Sequence, residues 1–158
     1  MRAYAFGLFL FTLVLLHFLL HVGLGLGDSA PDLLAVAVLL AARRTTLPAS
    51  ALLGVVLGVL DDALGIGPLG PRSIALAITG VLGTWSRGFV EGDGLLFFLA
   101  YLFVGIWASD ILLSVVTPGT AASPLLSLVT LTPLVSCWTA LWGVALLALF
   151  RRVAGPDA

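Results

Sequence analysis

Arginine stands at every second break between the long apolar runs of this chain, and that alternation constrains the fold more than any other feature. Arg2, Arg43, Arg44, Arg87, Arg151 and Arg152 fall at alternate breaks, and only Arg72 falls at one of the others. Short loops rich in Lys or Arg stay in the cytoplasm, so the pattern predicts how often the chain crosses a membrane and in which direction. With 61% hydrophobic and 9% charged residues, the chain is expected to be embedded from end to end. Its 158 residues make one transmembrane domain, 1–158, because no polar break is long enough to fold alone.

Six spans are predicted, over residues 3–26, 31–44, 47–64, 71–90, 95–116 and 123–150, giving an all-α polytopic bundle with both termini in the cytoplasm. The first run is long enough to cross a ~30 Å hydrocarbon core, and it lacks the small-x-small cleavage site of a signal peptide, so it is expected to be a retained span. Pro31 suits the first helical position of span two, and Asp32 complements the positive end of its dipole. That span is short, and it is expected to cross with help from arginine snorkelling or local bilayer thinning. Pro133 is expected to kink span six. Cys137 is the only cysteine, which excludes a disulfide within the chain and points to a small buried hydrophobe.

Ionisable groups in lipid need a partner or a job. The alternation puts His17, His21, Asp61, Asp62, Arg72 and Asp110 at similar depth near the outer surface. At 100° per residue, Ser50, Gly54, Gly58, Asp61 and Gly65 share one face of span three, and Ala75, Thr79 and Gly83 share one face of span four, with Arg72 above it. Asp110, Ser114 and Thr117 line up with Phe103 and Trp107 on span five, and Thr132, Ser136, Thr139 and Gly143 line up on span six. Small residues at this spacing let helices approach closely. Spans three, four and five are therefore expected to pack on these stripes, with Arg72 pairing Asp61, Asp62 or Asp110. His17 and His21 have the i, i+4 spacing of metal ligands, yet no third ligand is close in sequence, and they are expected to be hydrogen-bonded histidines with no metal. Trp85, Trp107, Trp138 and Trp142 suit interfacial anchoring or packing.

The chemistry of an enzyme is missing. No phosphate loop, HExxH, CxxC or GxSxG occurs. An aspartyl dyad of Asp61 or Asp62 with Asp110 could serve an intramembrane protease, and lipoprotein signal peptidases are of similar size. Their aspartates sit among asparagines, and this chain has no Asn, Gln or Lys. A formal charge of −1 gives no electrostatic footprint for nucleic acid. No cofactor is expected.

Pro31-Asp32-Leu33-Leu34 opening a short apolar span, then Arg43-Arg44, then Leu53-Gly54-x3-Gly58-x2-Asp61, then Gly65-x-Gly67-Pro68-Leu69-Gly70 resembles the MreD family of rod-shape-determining membrane proteins. The similarity is clearest from about Asp28 to Gly88, and beyond that it lies in hydropathy alone. Family members often carry a longer basic tail than this chain shows. The resemblance implies a non-catalytic scaffold of the cell-elongation machinery in the bacterial inner membrane. It implies a single-span MreC-like partner, and through it the elongation transpeptidase, the RodA glycosyltransferase and the MreB filament. Membrane lipid is the surround. Gly54 and Gly58 are the first candidates for the face that receives the partner helix, and Thr132, Ser136, Thr139 and Gly143 the second. The family is also similar in fold to the S components of energy-coupling-factor vitamin transporters, which supplies an alternative: a substrate-binding subunit with a pocket in its outer half. Those subunits carry an Ala-x3-Ala docking stripe in span one. Here Phe9, Phe11, Leu13 and Leu16 make that span bulky.

Overall fold

A computed structural model describes residues 3–25, 30–65, 68–88, 94–117 and 132–154. All regular structure among them is helical. The helices are α1 (Ala3–Phe18), which continues into a π-helical turn at Leu19–Gly23, α2 (Leu33–Ala42), α3 (Leu47–Leu64), α4 (Pro71–Ser86), α5 (Leu95–Val116) and α6 (Thr132–Ala154). Among the described residues, four segments are long and apolar enough to cross a membrane: Tyr4–Gly23, Leu47–Leu64, Leu95–Val116 and Thr132–Arg152. Their outer faces carry large exposed apolar side chains, among them Leu8, Phe11 and Leu15 on α1 and Leu52, Val55 and Val59 on α3. Exposed apolar surface on this scale suits lipid and not water.

The short helix α2 is the axis of the bundle. Every residue from Leu33 to Ala42 is at most 3% exposed, and α2 touches each of the other five helices. A helix that is apolar all round belongs in the middle, because it has no face to offer water. Its ten residues, about 15 Å at 1.5 Å each, therefore run through protein.

Side-chain contacts set the helix directions. At one end the last turns of α1 and α3 meet the first turns of α2 and α4, through His17, Asp61, Asp32 and Arg72. The N-terminal part of α6 joins them through Thr139, and Asp110 of α5 reaches Ser136. At the other end the guanidinium of Arg44 sits 4.4 Å from the Phe6 ring centre, Arg43 lies over Phe97, Phe98 and Tyr101, and Arg151 lies over Phe98. Arg87 donates to the Thr45 carbonyl. Thus α1, α3 and α5 run one way and α2, α4 and α6 the other. One end is basic, and the opposite end holds Arg72 among carboxylates.

Several expected boundaries and faces differ. Pro31 lies before the helix, with Asp32 as the capping residue. Span four ends at Ser86 as a helix, short of residue 90, and Leu19–Gly23 ends the first helix before residue 26. Residues 123–131 of the predicted sixth span lie outside the described residues. Those residues lead into Pro133, so the kink expected there falls at the edge of what is described, where α6 is helical from Thr132 to Ala154. The buried face of α5 is Phe98, Leu102, Ile106 and Ser109. The expected stripe of Phe103, Trp107, Asp110, Ser114 and Thr117 lies at its edge, because continuous apolar sequence on α5 hides which side faces protein. Cys137 is exposed on the apolar perimeter and not buried.

Candidate functional site

The site is the polar knot at the carboxylate-rich end. It begins with α3 and α4, the tightest pair in the bundle. A Cβ placed on Gly54 would lie 2.3 Å from the Leu76 carbonyl oxygen, one on Gly58 would lie 2.3 Å from Ser73 Cα, and one on Gly80 would lie 2.6 Å from the Ser50 carbonyl. The two backbones touch along two turns, as small residues permit in lipid. Ser50 seals the lower end: its hydroxyl lies 2.7 Å from that of Thr84 and 3.1 Å from the Gly80 carbonyl.

This closeness delivers Asp61 and Asp62 to the start of α4. Asp62 takes the free amides there: Gly70, Arg72 and Ser73 donate N–H groups at 2.9, 3.2 and 3.2 Å, and the Ser73 hydroxyl adds a bond of 2.9 Å. Gly70 turns the chain into position with φ of 114°, a conformation that L side chains rarely adopt. A carboxylate on the orphan amides of a helix start is stabilised by both hydrogen bonds and the dipole. Asp62→Ala is expected to lower stability by about 1–2 kcal/mol, as loss of a helix cap does. The check is the thermal unfolding midpoint of purified protein, with Asp62→Asn, which keeps one acceptor, falling between the two.

Asp61 faces the interior instead. Arg72 Nε donates to it at 2.8 Å, and His17 Nε2 lies 3.2 Å from its other oxygen. The second arm of Arg72 donates to Asp32. Asp32 also caps α2 by accepting from the Ala35 amide at 3.1 Å, and its own amide donates to the Thr139 hydroxyl at 3.3 Å. Arg72 therefore bridges two carboxylates on different helices, a geometry suited to its forked donors. His17 is fully buried, and its ring stacks on His21 at 3.9 Å, while His21 Nδ1 lies 3.1 Å from the His17 carbonyl.

Of the residues singled out in the sequence, Asp61, Arg72 and His17 meet directly. Asp62 joins through the α4 amides and not through the Arg72 side chain. Asp110 stands apart, 3.0 Å from the Ser136 hydroxyl. Ser114 bonds the Ile111 carbonyl of its own helix and is not in the knot. Thr79 is buried and bonds the Ala75 carbonyl, and Gly83 abuts Tyr101 and Ala42. Ser136 and Thr139 are fully buried, and Gly143 packs on Leu102 and Val36. Both stripes proposed for a partner helix are thus filled from within: Gly54 and Gly58 by α4, and Ser136, Thr139 and Gly143 by α2 and α5. A small residue invites the nearest helix, and in this chain that helix is its own. Asp32 is the participant that sequence reasoning missed. Its capping role was legible, and its depth beside Arg72 was implied by the alternation, but a cap with one satisfied oxygen did not signal a free second one.

No protein-family model, curated protein or solved structure matches the chain.

Proposed function

We propose that this protein is a non-catalytic membrane scaffold of the bacterial cell-elongation complex, crossing the inner membrane six times with both termini inside and holding an MreC-like single-span partner. The observation that carries the reading is where the MreD-like residues fall. Asp32, Gly54, Gly58, Asp61 and Gly70 are the contacts that bind α2, α3 and α4 together. Over Asp28 to Gly88 the residues that carry the resemblance are thus also residues that hold these three helices together, which supports the reading. The antiparallel helix order and the basic end support the six-span threading, with Arg43, Arg44, Arg87, Arg151 and Arg152 on the cytoplasmic side.

A scaffold reading also suits the carboxylates. Asp61 and Asp62 are each held by several donors from this chain, so neither is poised as half of a proteolytic dyad. The vitamin-transporter alternative calls for polar groups lining an outer pocket. Here the charged groups Asp32, Asp61 and Arg72 bond one another, and Asp62 is taken up by the α4 amides.

Affinity purification in mild detergent followed by mass spectrometry tests the proposal. An MreC-like protein with one span and a periplasmic domain is expected to co-purify, together with elongation enzymes in smaller amount. Tight vitamin binding by the isolated protein, or recovery of an energising ATPase in place of that partner, would replace the scaffold with the transporter.

A further inference from the structure

Between α4 and α5 the perimeter opens into a groove of about 420 Å3. Buried Leu39 of α2 forms its floor. Gly83 and Gly105 line its two sides, and Gly105 lets α5 close on that floor, since a Cβ there would lie 2.6 Å from the Leu39 side chain. Three hydroxyls line the groove, and each is turned into the chain: Thr79 donates to the Ala75 carbonyl at 2.8 Å, Ser86 to Gly83 at 2.9 Å and Tyr101 to Leu39 at 2.9 Å. What faces the space is hydrocarbon and aromatic carbon, so the occupant is apolar.

Length and charge narrow the choice. From Phe97 to Ala108 the groove follows α5 for 11 rises, ~16 Å. That is about half of a ~30 Å hydrocarbon core, the depth of one leaflet and the reach of one acyl chain. The groove starts at the basic end of the bundle. There the Arg43 guanidinium lies 4.9 Å from the ring centre of Phe97 and 5.4 Å from that of Tyr101, both lining residues. Arg87 follows directly on Ser86, and both arginines are partly exposed. A partner helix fits poorly, because close approach needs open small residues. The space a helix would use at Gly83 is closed by the Tyr101 hydroxyl, 2.9 Å from where a Cβ would be. Basic pockets between transmembrane helices are recurrent sites for anionic headgroups.

We propose that this groove holds one acyl chain of an anionic phospholipid, with the phosphate headgroup against Arg43 and Arg87. The site is independent of any protein partner. It makes the bundle sensitive to the anionic lipid content of the leaflet at its basic end.

The test uses the full chain reconstituted in vesicles of equal phosphatidylglycerol and phosphatidylcholine, then extracted in mild detergent and weighed by native mass spectrometry. One retained lipid per chain is expected, phosphatidylglycerol over phosphatidylcholine by fivefold or more. That is about the factor contributed by a single cation near an anionic surface, ~1 kcal/mol. Arg87→Gln should reduce retained phosphatidylglycerol about fivefold and leave phosphatidylcholine unchanged. Val104→Trp and Ala100→Trp project outward into the groove and should remove the retained lipid. Val115→Trp lies outside the groove on an exposed site and should not. Equal retention of the two lipids by the parent protein would overturn the proposal, and so would undiminished retention in both groove-filling variants. A photoreactive acyl chain should label α4 and α5. Recovery of a protein segment cross-linked in the groove in its place would assign it to a partner helix and also overturn the proposal.

Discussion

Gly58→Leu is expected to abolish the folded protein, and Gly58→Ala to destabilise it well beyond what one methyl group suggests. Overpacking a core by a methylene costs about 1–3 kcal/mol when side chains can shift. At Gly58 the obstacle is backbone: an added Cβ meets Ser73 Cα at 2.3 Å and the Ser73 nitrogen at 2.6 Å. The helices must separate, and separation pulls Asp62 off the amides of Gly70, Arg72 and Ser73. The loss therefore exceeds the overpacking range, because both causes act together. Gly7 is the matched control, because a Cβ there meets no atom within 4 Å. Gly7→Ala should be neutral or gain up to about 1 kcal/mol through helix propensity. Size-exclusion profiles and unfolding midpoints in one detergent check both. A monodisperse Gly58→Leu protein with the parent's midpoint would show that α3 and α4 do not touch backbone to backbone.

How much of this was legible in sequence follows from what each signal measures. The arginine-marked breaks anticipated the alternating directions of the six described helices, because short connections between apolar runs set neighbouring helices antiparallel. The stripes on α3, α4 and α6 were legible because Gly, Ser and Thr are scarce among Leu and Val, and their 100° spacing survives any rotation of the helix. On α5 the same method chose the edge: Phe103, Trp107 and Asp110 stand out chemically, yet Phe98, Leu102 and Ile106 are buried. In an apolar helix, protein and lipid faces have the same composition, so periodicity cannot tell them apart. The central place of α2 was hidden for a related reason. Ten apolar residues bounded by Asp32 and Arg43 describe a thin crossing as well as a buried axis, and only contacts with five neighbours decide between them. The stripes also said that some helix would pack against them without saying whose.

The knot around Arg72 yields the second large effect. Arg72→Gln removes both guanidinium bonds and leaves Asp61 and Asp32 without their cation, in a site where the side chains of Arg72, Asp32 and Asp61 are 15%, 13% and 23% exposed. Breaking a buried pair by deleting one partner costs about 3–5 kcal/mol, chiefly because the surviving charge is stranded. Two carboxylates are stranded here, and they tie α2 and α3 to α4, so the upper part of that range is expected. Arg72→Lys should recover only part of the loss, since one ammonium cannot reproduce donors directed at two carboxylates. The decisive comparison is the double variant Arg72→Gln, Asp61→Asn. If the cost arises from a stranded charge, removing that charge makes the double variant more stable than Arg72→Gln alone, a coupling that a double-mutant cycle measures directly. If Arg72 instead lies free at the surface, the two substitutions add, and Arg72→Gln by itself leaves the unfolding midpoint where it was.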